Sequence, residues 1–233
     1  MAMTRLQADA NARGVLVYAL RQGNTAPLAK DEDGNRMPGP WGGISRGYCA
    51  GLASRWIALR YAAFDFPFDR KTKLCEYPDW QAARDQIIVH QGYGDRSRAF
   101  PLQFQEVYAQ YGLRLNLGAV VEAPRVMDGQ LLRRAGDAAQ GCHCIYIAGD
   151  GCAHAVAMMN EGPRGWRFFD ANFGHFRLAD APAFESFIDW FMRRSGYARR
   201  YVKRVATVHI NPPPYTGANF ESLMGQIQRS LGR

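Results

Sequence analysis

The sequence predicts one α+β domain, with a helical first half packed on a largely antiparallel sheet formed by the second half. Three observations predict it. From Cys49 to Ala139 the apolar residues recur at helical spacing. From Cys142 to Asn172 they fall instead into short alternating or apolar runs separated by Gly and Asp. A last helical stripe, residues 181–196, then precedes one more strand-like run. With 233 residues, 47% of them apolar and 12% aromatic, the chain can bury one sizeable core and is not composed like a disordered one.

Residues 1–40 read as an N-terminal extension and loop, and residues 41–233 as the single domain. "KDEDGNRMPGPWGGISRG", residues 30–47, is dense in Gly, Pro and Asp, and Pro38 and Pro40 forbid regular structure there. A helix follows in "GYCAGLASRWIALRYA", where Cys49, Leu52, Ala53, Trp56, Ile57 and Tyr61 line one stripe; "FDFPFD" ends it at Pro67. "DWQAARDQIIVHQ" and "PLQFQEVYAQYG" read as helices, the second closed by Gly112, and "PRVMDGQLLRRAGDAA" as a helix with Gly129 inside it. "CHCIYIAG", "HAVAMMN" and "WRFFDAN" read as strands. "APAFESFIDWFMRRSG" is a helix with Phe184, Phe187, Ile188 and Phe191 on one stripe. "YVKRVATVHI" is a strand stopped by "NPPP", and "NFESLMGQIQRSLG" a terminal helix.

No apolar run approaches the ~20 residues that span a bilayer, so no transmembrane segment is expected. "VLVYAL", near the N-terminus, is too short for the apolar core of a cleavable secretory signal. Action outside the producing cell would therefore need a dedicated secretion machine. The five cysteines, Cys49, Cys75, Cys142, Cys144 and Cys152, are odd in number, which argues for a reducing compartment and a free thiol rather than a disulfide framework. Net charge is +8, with much of the surplus at Arg193, Arg194, Arg199, Arg200, Lys203 and Arg204. That cluster reads either as a solvated face or as a surface for an anionic partner: nucleic acid, an anionic membrane face or an acidic stretch of protein. A monomer is expected.

A thiol on the first turn of a helix has two readings. Cys49 is either a small buried hydrophobe or a thiolate favoured by the positive end of the helix dipole and its free N–H groups. The second reading needs a base, and the strand half offers one. "HAVAMM" and "WRFFDAN" around a Gly/Pro turn form a hairpin. With the turn centred near Gly162, His154 faces Asp170 directly, at a Cβ separation of about 4.5–5.5 Å. A two-residue register change sets it opposite Asn172 instead. Cys49, His154 and Asp170 would then supply nucleophile, general acid/base and orienting group, with the Cys49 N–H donating to an oxyanion.

"GYCAGLASRWI" resembles the nucleophile motif of the YopT-type cysteine proteases, a papain-like family of bacterial effectors. "HAVAM" followed by "WRFFDANFGHF" is similar to that family's His segment and its F-D-x-N-F-G segment, so the resemblance spans residues 41–178. It implies a papain-like fold, peptide-bond cleavage without a cofactor, and Cys49 as nucleophile, His154 as acid/base and Asp170 as orienter. It further implies a secreted virulence effector or toxin, delivered by a specialised system into the cytoplasm of a target cell, with a protein substrate there. Some members of the family cut prenylated small GTPases near a basic tail, others cut kinases or themselves. Papain-like enzymes often place Gln or Asn a few residues before the cysteine as a second oxyanion donor. Residues 37–48 hold neither, leaving Ser45 as the nearest polar candidate, with Asn172 as a support for the imidazole or the turn.

Three other readings compete. Deamidation or another acyl transfer on a protein would use the same three residues. A zinc site would use Cys142, Cys144, Cys152 and His154, although the C-x-C and C-x-H spacings are atypical, and no metal is expected. A binding module without catalysis would use the basic cluster on nucleic acid or a membrane. Trp56 reads as core, His175 as a surface or loop residue, and His90, His143 and His209 have no partner in sequence.

Overall fold

A computed structural model describes residues 2–22, 48–75, 80–94 and 100–212. The loop expected over residues 30–47, the domain boundary at residue 41, Ser45 and the C-terminal helix expected from residue 219 lie outside these. Helix α1, Arg5–Ala12, starts at a reciprocal cap in which the Thr4 hydroxyl accepts from the Gln7 N–H and the Gln7 side chain accepts from the Thr4 N–H at 2.7 Å. The buried Gln7 amide then donates to the carbonyls of Leu20 and Phe173, tying α1 to the sheet beneath.

Among the described residues one sheet of eight strands organises the chain: β1 Leu16–Leu20, β2 Leu74–Cys75, β3 Arg114–Ala123, β4 Gly141–Gly149, β5 Cys152–Asn160, β6 Trp166–Asp170, β7 Gly174–Leu178 and β8 Arg204–Asn211. Their spatial order is β2-β1-β7-β6-β5-β4-β8-β3. Only the β1–β2 pair is parallel. The "VLVYAL" run is thus an interior strand, paired with β7 on one side and β2 on the other.

Helices cover both faces. On one lie α2, Cys49–Tyr61, α3, Trp80–Gly94, and α4, Gln105–Gln110. They pack against Ala155, Ala157, Phe169 and Ala171 of the sheet, where the alanines let α2 come close. Trp56 of α2 is fully buried and stacks on Phe169 at 5.5 Å. Gly51 is needed for the α2–α3 contact, because a Cβ there would stand 1.9 Å from the Ala82 carbonyl oxygen. On the other face lie α1, α5, Gly129–Ala138, and α6, Ala181–Ser195, against Ile145, Val156, Met158 and Phe168. Helix α6 ends at Gly196, in the left-handed region at φ 79°, and a single turn α7, Tyr197–Arg200, follows.

His175 is not at the surface. It is fully buried, 3.2 Å from Asp65, with Arg167 3.3 Å from its other nitrogen. Arg60 bridges Asp65 and Glu161, and Glu161 also accepts from Arg167 at 2.8 Å, so the end of α2 is tied to the β6–β7 hairpin by buried charges. His143 and His209 do have partners. They sit directly opposite each other across β4–β8, ring centroids 5.0 Å apart, each with Nε2 2.8 Å from a backbone carbonyl, of Ala139 and Gln140 respectively.

Burial pushes His143 down to about 4, against the hydrogen bond to Ala139, and it pushes His175 to about 4 against the pull of Asp65. Both folded-state values lie below the ordinary value near 6.5. The unfolded chain therefore takes up protons first as pH falls, and stability is full above about pH 6.5 and lost toward pH 4. A shift of this size costs about 3 kcal/mol per ring at the acid end. The melting temperature is expected to fall steadily from pH 7 to pH 4.5, and a flat profile would contradict the burial of these rings.

Candidate active site

The β5–β6 ladder ends at Val156 opposite Asp170, while β5 continues beside β4 out to Cys152. Past that last rung β6 gives way to a turn, and β5 has an open flank. The N-terminus of α2 sits at this split. There the Cys49 sulfur lies near enough to the His154 ring and the Ala155 N–H for both to favour its thiolate.

Asp170 accepts from His154 Nε2 at 2.9 Å, with the ring 3% and the carboxylate 0% exposed. With Nε2 committed to the carboxylate, Nδ1 is the nitrogen left for the sulfur. Cys49, His154 and Asp170 are therefore brought together, but not in the register centred on Gly162. Met159 pairs with Arg167 and Asn160 with Trp166, a shift of two residues that points His154 across toward Asn172. The cause is the turn. Gly162–Arg164 forms a 3-10 turn closed by the Glu161 N–H on the Gly165 carbonyl at 2.9 Å, with Gly162 and Gly165 at φ 63° and 98°. Asp170 remains on the same face as His154 and reaches it diagonally.

Asn172 serves the carboxylate rather than the ring. Its backbone N–H donates to Asp170 Oδ1 at 2.7 Å, its side-chain amide donates to the Tyr197 hydroxyl at 2.7 Å, and its Oδ1 accepts from Gln22 at 2.6 Å. The Gln22 Oε1 accepts from the Tyr48 N–H, also at 2.6 Å, so one amide joins the start of α2 to the turn after β6. Tyr197 and Tyr201 wall the imidazole. The Tyr197 hydroxyl is 3.3 Å from Nε2, and the Tyr201 ring stacks on His154 at 5.9 Å. Sequence reasoning missed Gln22, Tyr197 and Tyr201. Gln22 stands far outside the few residues before Cys49 that usually hold such an amide, and a tyrosine just past an apolar helix carries no local sign of a partner.

The electrostatics follow from the contacts. Burial raises the Cys49 thiol, but attraction to His154, its hydrogen bond and that of Ala155 outweigh it and hold the thiol below its ordinary value. Burial works against the His154 cation too, yet Asp170 and the Cys49 sulfur keep the ring protonated well above its usual range. A thiolate–imidazolium pair is the state that such shifts favour. Burial, against a hydrogen bond with Tyr108, pushes Cys144 up to about 12, leaving it an inert core thiol. The zinc reading fails on geometry. Cys142 and Cys144 share the face of Met159 and Ala157, whereas Cys152 and His154 project from the opposite face. Among the described residues no three His, Cys, Asp or Glu gather as a metal site.

This arrangement can be set beside known proteins. The peptidase C58 family profile, described as Yersinia/Haemophilus virulence surface antigen, matches residues 125–209, a span that holds His154 and Asp170. The chain resembles the YopT-type peptidases. Among solved structures, the Pseudomonas avirulence protein AvrPphB shares the fold with a TM-score of 0.56 at 17% identity, covering 72% of this chain and 93% of that one. No curated protein matches. The papain-like α+β fold class read from the sequence is thereby shown, and at family level the YopT-type likeness supports a cysteine protease. Among the described residues no helix is long and apolar enough to cross a membrane.

Proposed function

We propose that the chain is a cysteine endopeptidase of the YopT type, acting on a protein of a target cell into whose cytoplasm a specialised system delivers it. The observation that carries this reading is the contact of the α2 thiol with an imidazole that a buried carboxylate braces, at an open end of the sheet. In the first step the Cys49 sulfur attacks the scissile carbonyl carbon and the carbonyl π pair moves to oxygen. The Cys49 N–H, first of its helix and without a carbonyl of its own turn to bind, donates to that oxyanion. Gln22, which spends one amide proton on Asn172, is the second donor. His154 then gives its proton to the leaving amine, and the thioester forms. In the second step water attacks the thioester, His154 takes the water's proton, and the product carboxylic acid leaves as the thiolate is restored.

The test is covalent labelling with an epoxide thiol reagent, with the adduct mapped by mass spectrometry, alongside a survey of new protein N-termini in treated cell extract. Label on Cys49 is expected, and Cys49→Ala is expected to abolish both label and new N-termini while the melting temperature stays within a few degrees. Undiminished labelling of the variant, with the adduct on Cys152, would overturn the assignment.

A further inference from the structure

The six basic residues near the end of the chain are not equivalent. Arg194 pairs with Asp9 at 2.6 Å, Lys203 with Asp150, and Arg204 with Glu122 at 2.8 Å. Among the described residues no carboxylate pairs with Arg199 or Arg200, and both are exposed. They belong to α7, which is flanked by the two rings that touch His154, Tyr197 at its start and Tyr201 just after its end.

Arg200 is held in place. Its guanidinium lies over the Tyr201 ring at 5.5 Å, and Tyr201 in turn lies on the imidazole. Its backbone carbonyl is 3.9 Å from the Cys152 sulfur, and Gly149 packs so closely beneath it that a Cβ there would come within 1.9 Å. A fixed positive charge therefore stands one aromatic ring away from the base, with Arg199 beside it and the exposed Val202 just beyond.

We infer that Arg199 and Arg200 select substrate, favouring a polypeptide with acidic residues flanking the bond to be cut. The inference rests on the protease reading for the site itself and adds the substrate class. A substrate strand crossing from Cys49 past His154 meets this lip. Carboxylates there gain from two cations that the protein leaves without a carboxylate of its own among the described residues, and a basic segment is repelled. The preference is electrostatic and exposed, so it weakens with salt.

Two epoxide probes of the same peptide length test this, one with three Glu beside the epoxide and one with three Gln. At low ionic strength the Glu probe is expected to label Cys49 about tenfold faster than the Gln probe. In R199Q/R200Q, and in 0.5 M salt, the ratio is expected to fall to near one. A second arm uses Cys49→Ala protein and the fluorescein-labelled peptide with three Glu, read by anisotropy. Binding there is expected to weaken about tenfold in the doubly substituted protein, and this arm decides the preference even if no probe labels the thiol. Equal labelling of the two probes, with no binding of the acidic peptide, overturns the inference. So does binding of phosphatidylserine vesicles through Arg199 and Arg200 while the acidic peptide does not bind.

Discussion

Replacing His154 with alanine is expected to lower peptide cleavage by about 10³-fold or more, because the leaving amine loses its acid and the thiol loses its counter-charge. The pH profile separates these two losses. On the proposed chemistry, the lowered Cys49 value and the raised His154 value favour a thiolate–imidazolium pair in the native protein. Alkylation by iodoacetamide at pH 7 should therefore be faster than that of an ordinary thiol, and it should gain less on going to pH 9. In His154→Ala, burial and the Asp170 charge act on the sulfur against the Ala155 N–H alone and move it up. Alkylation at pH 7 is then expected to be about 100-fold slower and to climb with pH beyond 9. If the variant alkylates at pH 7 as quickly as the native protein, the ring does not control the thiol and the proposed chemistry fails.

The second large effect is on stability. Gly174 closes the F-D-A-N-F-G segment and pairs with Ala19 of β1 at φ 117°. A Cβ at this position would lie 2.1 Å from the Tyr18 carbonyl oxygen and 2.9 Å from the Leu20 nitrogen, both backbone atoms. Gly174→Ala therefore combines backbone strain with a clash that no rotamer relieves, at a cost of about 3 kcal/mol or more. That corresponds to a fall of about 6–12 °C in melting temperature. Gly14, at φ 70° with nothing within 4 Å of a Cβ, is the control. Gly14→Ala has the strain without the clash and is expected to cost about 1 kcal/mol. Similar losses in the two variants would show that the close approach of β1 and β7 is not what the glycine serves.

The fold class was legible because patterning marks it. The helical stripe from Cys49, the Phe-rich stripe of α6 and the runs that became β4, β5, β6 and β8 all have a sided or fully apolar rhythm that water imposes. Four strands escaped, among them β2, which has only two residues. β1 is a short apolar run that could equally belong to a tail, and only its partners Phe176 and His175, far along the chain, make it a strand. β3 is an edge strand, half exposed along its length with a break in register between Asn116 and Val120, so its rhythm is blurred. β7 is interrupted in sequence by the polar His175 and Arg177. The buried charges of Arg60, Asp65, Glu161 and Arg167 satisfy His175, and nothing within "NFGHF" announces that.

At the candidate site, the reactive residue types were visible and their supports were not. Cys49, His154 and Asp170 could be named because a thiol at a helix start and an imidazole near a carboxylate are chemically distinctive. The register between them depended on how five residues turn the chain, and Gly162, Pro163 and Gly165 permit more than one answer. Gln22 and Tyr197 were invisible because their roles arise from packing alone.

The split at the end of β5 has a consequence for the chain before it is folded. Its thiol is carried more than a hundred residues before its imidazole and its acid, and the strand under the last turn of the site is closed by β1, near the start of the chain. An unfolded polypeptide therefore carries an ordinary, mostly protonated cysteine, near its usual pKa of about 8.5. On the proposed chemistry, the thiol gains its reactivity only when the whole architecture has assembled.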